Sequence, residues 1–135
     1  MAQPRLPMTI VRASVAAVLI LHGVARYTAG TVGGFGFFLT EVRGVPFGHA
    51  LAWAITVVEI VGGLLLAFGV AVVPLCAWFT AVLVAGIRLV HWPSGWFVVG
   101  EGRNGIELSV LLIACLLAIA ADAWGRGREE DASRG

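Results

Sequence analysis

The sequence predicts an all-α integral membrane protein: a four-helix bundle of four spans, with a short interfacial helix in the first long connection. Three observations carry this reading. Of 135 residues, 59% are hydrophobic and a further 18 are glycine, well above the roughly 45–50% apolar content, glycine included, of soluble domains. Charged side chains make up only 13%, too few to cover a water-facing globule. Four separate stretches approach the ~20 apolar residues that a helix needs to cross a hydrocarbon core.

The first span covers about residues 8–26 and is interrupted only by Arg12 and His22. Gly23-Val24-Ala25 has the small-x-small form of a signal-peptide cleavage site. Arg12, however, sits where the apolar core of such a peptide should begin, and the run is long, so it reads as a span. In the connection that follows, Phe35, Phe38, Leu39 and Val42 recur at i, i+3, i+4 and i+7, and Gly44-Val45-Pro46 acts as a stop. That pattern predicts an amphipathic helix from about Val32 to Arg43, lying in the interface as an aromatic lid.

The second span, about residues 50–73, holds one ionisable group, Glu59; the third, about 74–91, holds Arg88 and closes on His91 and Trp92. Gly69 and Pro74 bracket the few residues between them, which predicts a tight turn between antiparallel neighbours. Next comes His91-Trp92-Pro93-Ser94-Gly95-Trp96-Phe97, whose rings suit the headgroup belt. The fourth span, about 106–124, carries Glu107 near its start and Asp122 near its end. Residues 1–124 thus read as one membrane domain. Residues 125–135, of mixed charge and without apolar period, read as a solvated, disordered tail.

Arg5, Arg12, Arg126, Arg128 and Arg134 flank the side of the termini, against Arg26, Arg43, Arg88 and Arg103 on the side of the long loops. This asymmetry favours cytoplasmic termini in a cell inner (plasma) membrane protein. All nine basic residues are arginine and the net charge is +1, so no field exists to steer nucleic acid. Cys76 and Cys115 lie in different spans at different depths, without a Cys-x-x-Cys, which disfavours a disulfide framework, a zinc site and thiol–disulfide chemistry.

A rise of ~1.5 Å per residue places His22, Arg26, Arg88, His91 and Glu107 in the outer third on the long-loop side, with Glu59 nearer mid-membrane. His22 and Arg26 are one turn apart, as are Arg88 and His91, so each pair shares a helix face. The reading is a single polar funnel. Ala77, Ala81 and Ala85 form a small-residue stripe that would bring the third span close and carry Arg88 towards Glu59. A mid-membrane charge costs at least ~2.5 kcal/mol, which predicts either a Glu59–Arg88 pair or a protonated Glu59. The bland alternative is an ion pair that only fixes helix register. A histidine–carboxylate metal site lacks the Glu-x-x-His spacing of bundle-core sites, and no metal is expected.

A funnel of mixed donors and acceptors with an apolar floor and an aromatic lid suits an amphipathic ligand with a polar head, quinone being the redox example. In that reading His91, His22 or Arg88 donates to a carbonyl and Glu59 or Glu107 accepts a proton. The candidate catalytic residues are Glu59, His91 and Glu107, and the candidate quinone-binding residues are His22, Arg26, Arg88 and Trp92. The chain has no haem or iron–sulfur ligand set, so electrons would pass to or from a partner.

His22-Gly23-Val24-Ala25-Arg26, Gly44-Val45-Pro46, Glu59-Ile60-Val61-Gly62-Gly63 (Glu-x-x-Gly-Gly), His91 and Gly105-Ile106-Glu107 together resemble the DoxX family of small four-helix membrane proteins, over roughly Val11 to Ala120. The resemblance implies a relation to the DoxD-type subunits of thiosulfate:quinone oxidoreduction. Three functions are compatible with the residues: a quinone-interacting subunit of a membrane oxidoreductase; a non-catalytic anchor or assembly partner of a peripheral redox protein; and a small-solute or proton pathway. Partners expected are the lipid bilayer, membrane quinone, a peripheral redox protein and a second copy of the chain.

Overall fold

The computed structural model describes residues 5–99 and 104–135, and all regular structure among them is helical. The helices are α1 (Leu6–Thr28), α2 (Val32–Phe37), α3 (Gly48–Ala67), α4 (Val72–Gly86) and α5 (Glu107–Arg134). A π-helical turn, Phe38–Val42, extends α2; another, Ile87–His91, followed by a 3₁₀ turn at Trp92–Ser94, extends α4. Among the described residues, four helical stretches are long and apolar enough to cross a membrane: Leu6–Thr28, Gly48–Ala67, Val72–Ser94 and Glu107–Arg134. The chain is therefore a multi-pass membrane protein, and the short helix expected over Val32–Arg43 is present over Val32–Val42. Arg103, counted above on the long-loop side, lies outside the described residues.

Local chemistry sets the boundaries. α1 ends in a Schellman motif: Gly30 adopts a left-handed φ of 68°, its N–H donates to Tyr27 O at 3.1 Å, and Thr31 N–H donates to Arg26 O at 3.1 Å. α3 ends the same way at Gly69, with Gly69 N–H to Leu66 O and Val70 N–H to Leu65 O. It therefore stops six residues short of the expected limit at residue 73. Ala71, also left-handed at φ 50°, caps α4, and Pro74 falls in its first turn, where the missing N–H costs nothing. The stretch expected to be a disordered tail is helical to Arg134, with Arg126 beside Asp122 one turn back at 3.1 Å.

The chain divides into two compact units. In the first, Ala16–Val70, the second half of α1 packs against α3. α3 turns Ala52, Ile55, Thr56, Glu59, Gly62, Gly63 and Leu66 inward, a stripe at three- and four-residue spacing that defines one face. Glycines set the approach: a Cβ on Gly23 would lie 2.8 Å from Ile60 Cγ1 and 3.0 Å from Glu59 Cβ, and one on Gly63 would lie 2.6 Å from Ile20 Cγ1. α2 buries Val32 and Gly36, and its π turn buries Leu39. Gly36 abuts His49 and Gly48 abuts Leu39 and Thr40, which seats this short helix on the start of α3.

Gly33 and Gly34 within α2 have nothing within 4 Å of where a Cβ would stand, so they weaken the helix without serving a contact. Gly34→Ala is expected to stabilise α2 by about 1 kcal/mol. The readout is a roughly fivefold rise in hydrogen-exchange protection of the amides from Phe35 to Val42.

The second unit comprises Met1–Val15 and Ala71–Gly135. Here α4 packs along α5, turning Val72, Cys76 and Phe79 inward, while α5 contributes Ser109, Leu112, Leu116 and Ile119. The expected alanine packing stripe differs from this: Ala77, Ala81 and Ala85 are all exposed. α4 instead buries the face that carries Val72, Cys76 and Phe79.

Candidate functional site

The last turns of α1 and the middle of α3 build a polar cluster inside the Ala16–Val70 unit. Gly23 brings the two backbones into contact, and Arg26, one turn further along the same face, reaches across to α3. Its Nη1 donates to Glu59 Oε2 at 2.5 Å and to Thr56 Oγ1 at 3.2 Å. Thr56 Oγ1 in turn donates to Ala52 O at 2.8 Å, so this buried hydroxyl both gives and accepts. The guanidinium lies 4.9 Å from the centroid of the Phe35 ring, a cation–π contact that places α2 over the pair.

Glu59 is the deepest ionisable group of this unit, with its side chain 9% exposed; that of Arg26 is 19% exposed. In an apolar surrounding such a pair is held by its mutual charge and hydrogen bonds, and removing either member strands the other. The pair has further hydrogen-bonding groups to offer. Both Arg26 bonds use Nη1, and among the described residues Nη2 and Nε meet no acceptor and Glu59 Oε1 meets no donor. A partly exposed guanidinium edge beside a carboxylate oxygen, under an aromatic ring, suits a ligand that offers both an acceptor and a proton.

Glu59 is expected either to pair with Arg88 or to be protonated; the cation that the structure sets against it is Arg26. The close approach that brings Arg26 to Glu59 is made by Gly23 and Gly63. Thr56 was not among the expected residues. Its signal lies in the apolar run, where Thr56 and Glu59 stand one turn apart on the face that continues to Gly63.

His22, in the same unit, is exposed, and its Nδ1–H donates to Val18 O of its own helix at 3.1 Å. Tyr27 and Trp53 meet edge to face at 6.3 Å between centroids. The remaining expected residues belong to the second unit, where His91 and Glu107 form a clasp around the start of α5. His91 Nδ1–H donates to Asn104 O at 3.0 Å. Val98 N–H donates to Glu107 Oε1 at 3.0 Å, while the Glu107 and Gly105 N–H groups donate to Trp96 O and Phe97 O. Of these donors the Glu107 N–H is one that a helix start leaves open; the other bonds tie the preceding loop to it. Arg88 and Trp92 line a separate groove with Val84 and Ile87.

Only glycine fits at position 105, because a Cβ would run into the carbonyl oxygens of Phe97 and Trp96. Gly105→Ala is expected to cost about 1–3 kcal/mol and to open the clasp. A loss of hydrogen-exchange protection at Ile106 and Glu107, with that of Phe35–Val42 unchanged, checks it.

Among the described residues, no group of three or more His, Cys, Asp or Glu is placed to hold a metal ion. The DoxX family model matches residues 8–92, more than half of the chain. The match takes in the Arg26–Thr56–Glu59 cluster, α2 and the π turn of α4, and ends before Gly105-Ile106-Glu107. No curated protein and no solved structure matches.

Proposed function

The chain belongs to the DoxX family, and from that premise we propose that it is a quinone-interacting subunit of a membrane oxidoreductase, with Arg26, Thr56 and Glu59 as the headgroup site. The observation that carries this reading is the ion pair with unspent donors and an unspent carboxylate oxygen inside an apolar unit. Quinone, when bound, supplies a two-electron, two-proton couple. Arg26 donates N–H to a ring oxygen, Glu59 Oε1 holds or accepts a proton, Thr56 keeps the guanidinium in place, and Phe35 shields the pair from water. A peripheral redox protein exchanges the electrons. The arginine asymmetry between the two sides supports cytoplasmic termini in a plasma-membrane setting.

The anchor reading is favoured by a specific observation. His91 and Glu107 are both engaged in holding the start of α5, a structural duty that needs no ligand. Mass spectrometry of lipids extracted from mildly solubilised protein separates the two. The proposal expects stoichiometric quinone with the wild type and at least a tenfold loss, about 1.4 kcal/mol of binding, in Glu59→Gln. Quinone absent from a folded wild type, with a peripheral enzyme co-purifying, would establish the anchor instead.

A further inference from the structure

We propose that the exposed face of the π-helical end of α4 binds an anionic phospholipid, with Arg88 and Trp92 on the phosphate and Val84 and Ile87 along the first carbons of an acyl chain. The four side chains line a groove of about 540 Å³, within the size range of small-molecule sites, roughly 300–1,000 Å³. Its polarity is graded along the helix. Val84, the deepest, is apolar and 45% exposed; Trp92, at the end of the span, is 69% exposed; and Arg88 lies one turn before it on the exposed surface. This is the order of a phospholipid, with tail towards mid-membrane and charge towards the interface.

The backbone is shaped for it. At Ile87–His91 the helix widens to a π turn, with Trp92 N–H donating to Ile87 O five residues back. That bond sets Ile87 and Trp92 one wide turn apart. π turns are rare and recur at functional sites. His91 is tied by its Nδ1–H to Asn104 O, while Arg88 and Trp92 are exposed among the described residues. Charge complementarity selects the occupant: a guanidinium facing the lipid at headgroup depth forms bidentate hydrogen bonds with a phosphate, and a tryptophan beside it suits the same layer. An anionic headgroup adds a net charge that a zwitterionic one lacks.

The test uses full-length protein in nanodiscs of phosphatidylcholine doped with brominated phosphatidylglycerol or brominated phosphatidylcholine. The Trp92 emission is taken as the difference between the wild type and Trp92→Phe. Half-quenching is expected at an about fivefold lower mole fraction of the anionic lipid, the selectivity that one basic residue confers at an anionic surface. Arg88→Gln should abolish that preference and Arg88→Lys should keep part of it. Equal quenching of the Trp92 emission by the two lipids overturns the proposal before any change at Arg88 is made. So does an unchanged preference in Arg88→Gln, or a Trp92 shielded from both lipids, as a second copy of the chain on this face would leave it.

Discussion

Arg26→Ala is expected to destabilise the Ala16–Val70 unit by about 3–5 kcal/mol, the usual cost of leaving one member of a buried ion pair without its partner. Glu59 has Arg26 as its ion-pair partner, and the Thr56 hydroxyl would lose the N–H that it accepts. The loss exceeds that of an ordinary surface pair because little water reaches the carboxylate to replace the guanidinium. The double variant Arg26→Ala, Glu59→Gln should be more stable than Arg26→Ala alone, since a neutral amide needs no counter-charge. Unfolding in detergent across this double-mutant cycle gives the coupling directly. Strict additivity of the two substitutions would show that the residues do not interact.

Gly23→Leu carries the second large effect, expected near 3 kcal/mol, the upper end for overpacking a closed contact. Even a single Cβ at this position meets Glu59 Cβ at 3.0 Å and Thr56 O at 3.1 Å, atoms tied to the α3 backbone that cannot rotate away. The helices must separate, and the reach of Arg26 to Glu59 lengthens with them. Gly63→Ala provides the contrast, because it adds a single methyl, which meets Ile20 Cγ1 first and stays 3.4 Å from the nearest backbone atom, Ala16 O. Its cost should be clearly smaller. Melting temperatures of the two variants in the same detergent test the order, and a reversed order would mean that α1 and α3 do not meet through Gly23.

Much of this fold is legible in the sequence because a membrane leaves few alternatives: length and apolar content define the spans, and the Phe35–Val42 spacing defines the short helix. The limits of α3 and α4 are less legible. Gly69 and Pro74 mark the turn, but the exact limits depend on a Schellman turn at Gly69 and on a left-handed alanine at Ala71, and alanine is not a residue that signals that conformation. Glu59 stands out as the lone acid of its span, yet its partner does not, since Arg26 and Arg88 fall at comparable depths and a regular alanine stripe draws the reading to α4. The deciding feature is Gly23, whose meaning appears only once α3 is seen against it. Charge at a helix start is equally ambiguous: Glu107 and His91 look like acid and base in the sequence, and backbone partners claim both.

Photocrosslinking with an azido-quinone in native-like nanodiscs checks the assignment of Arg26, Thr56 and Glu59, under Phe35, as the ligand headgroup site. Adducts are expected on peptides containing Phe35 and Thr56, strongly reduced in Glu59→Gln and competed by unlabelled quinone. Competed adducts confined to the Arg88–Trp92 peptide, or adducts at Phe35 and Thr56 that Glu59→Gln leaves unchanged, would contradict it.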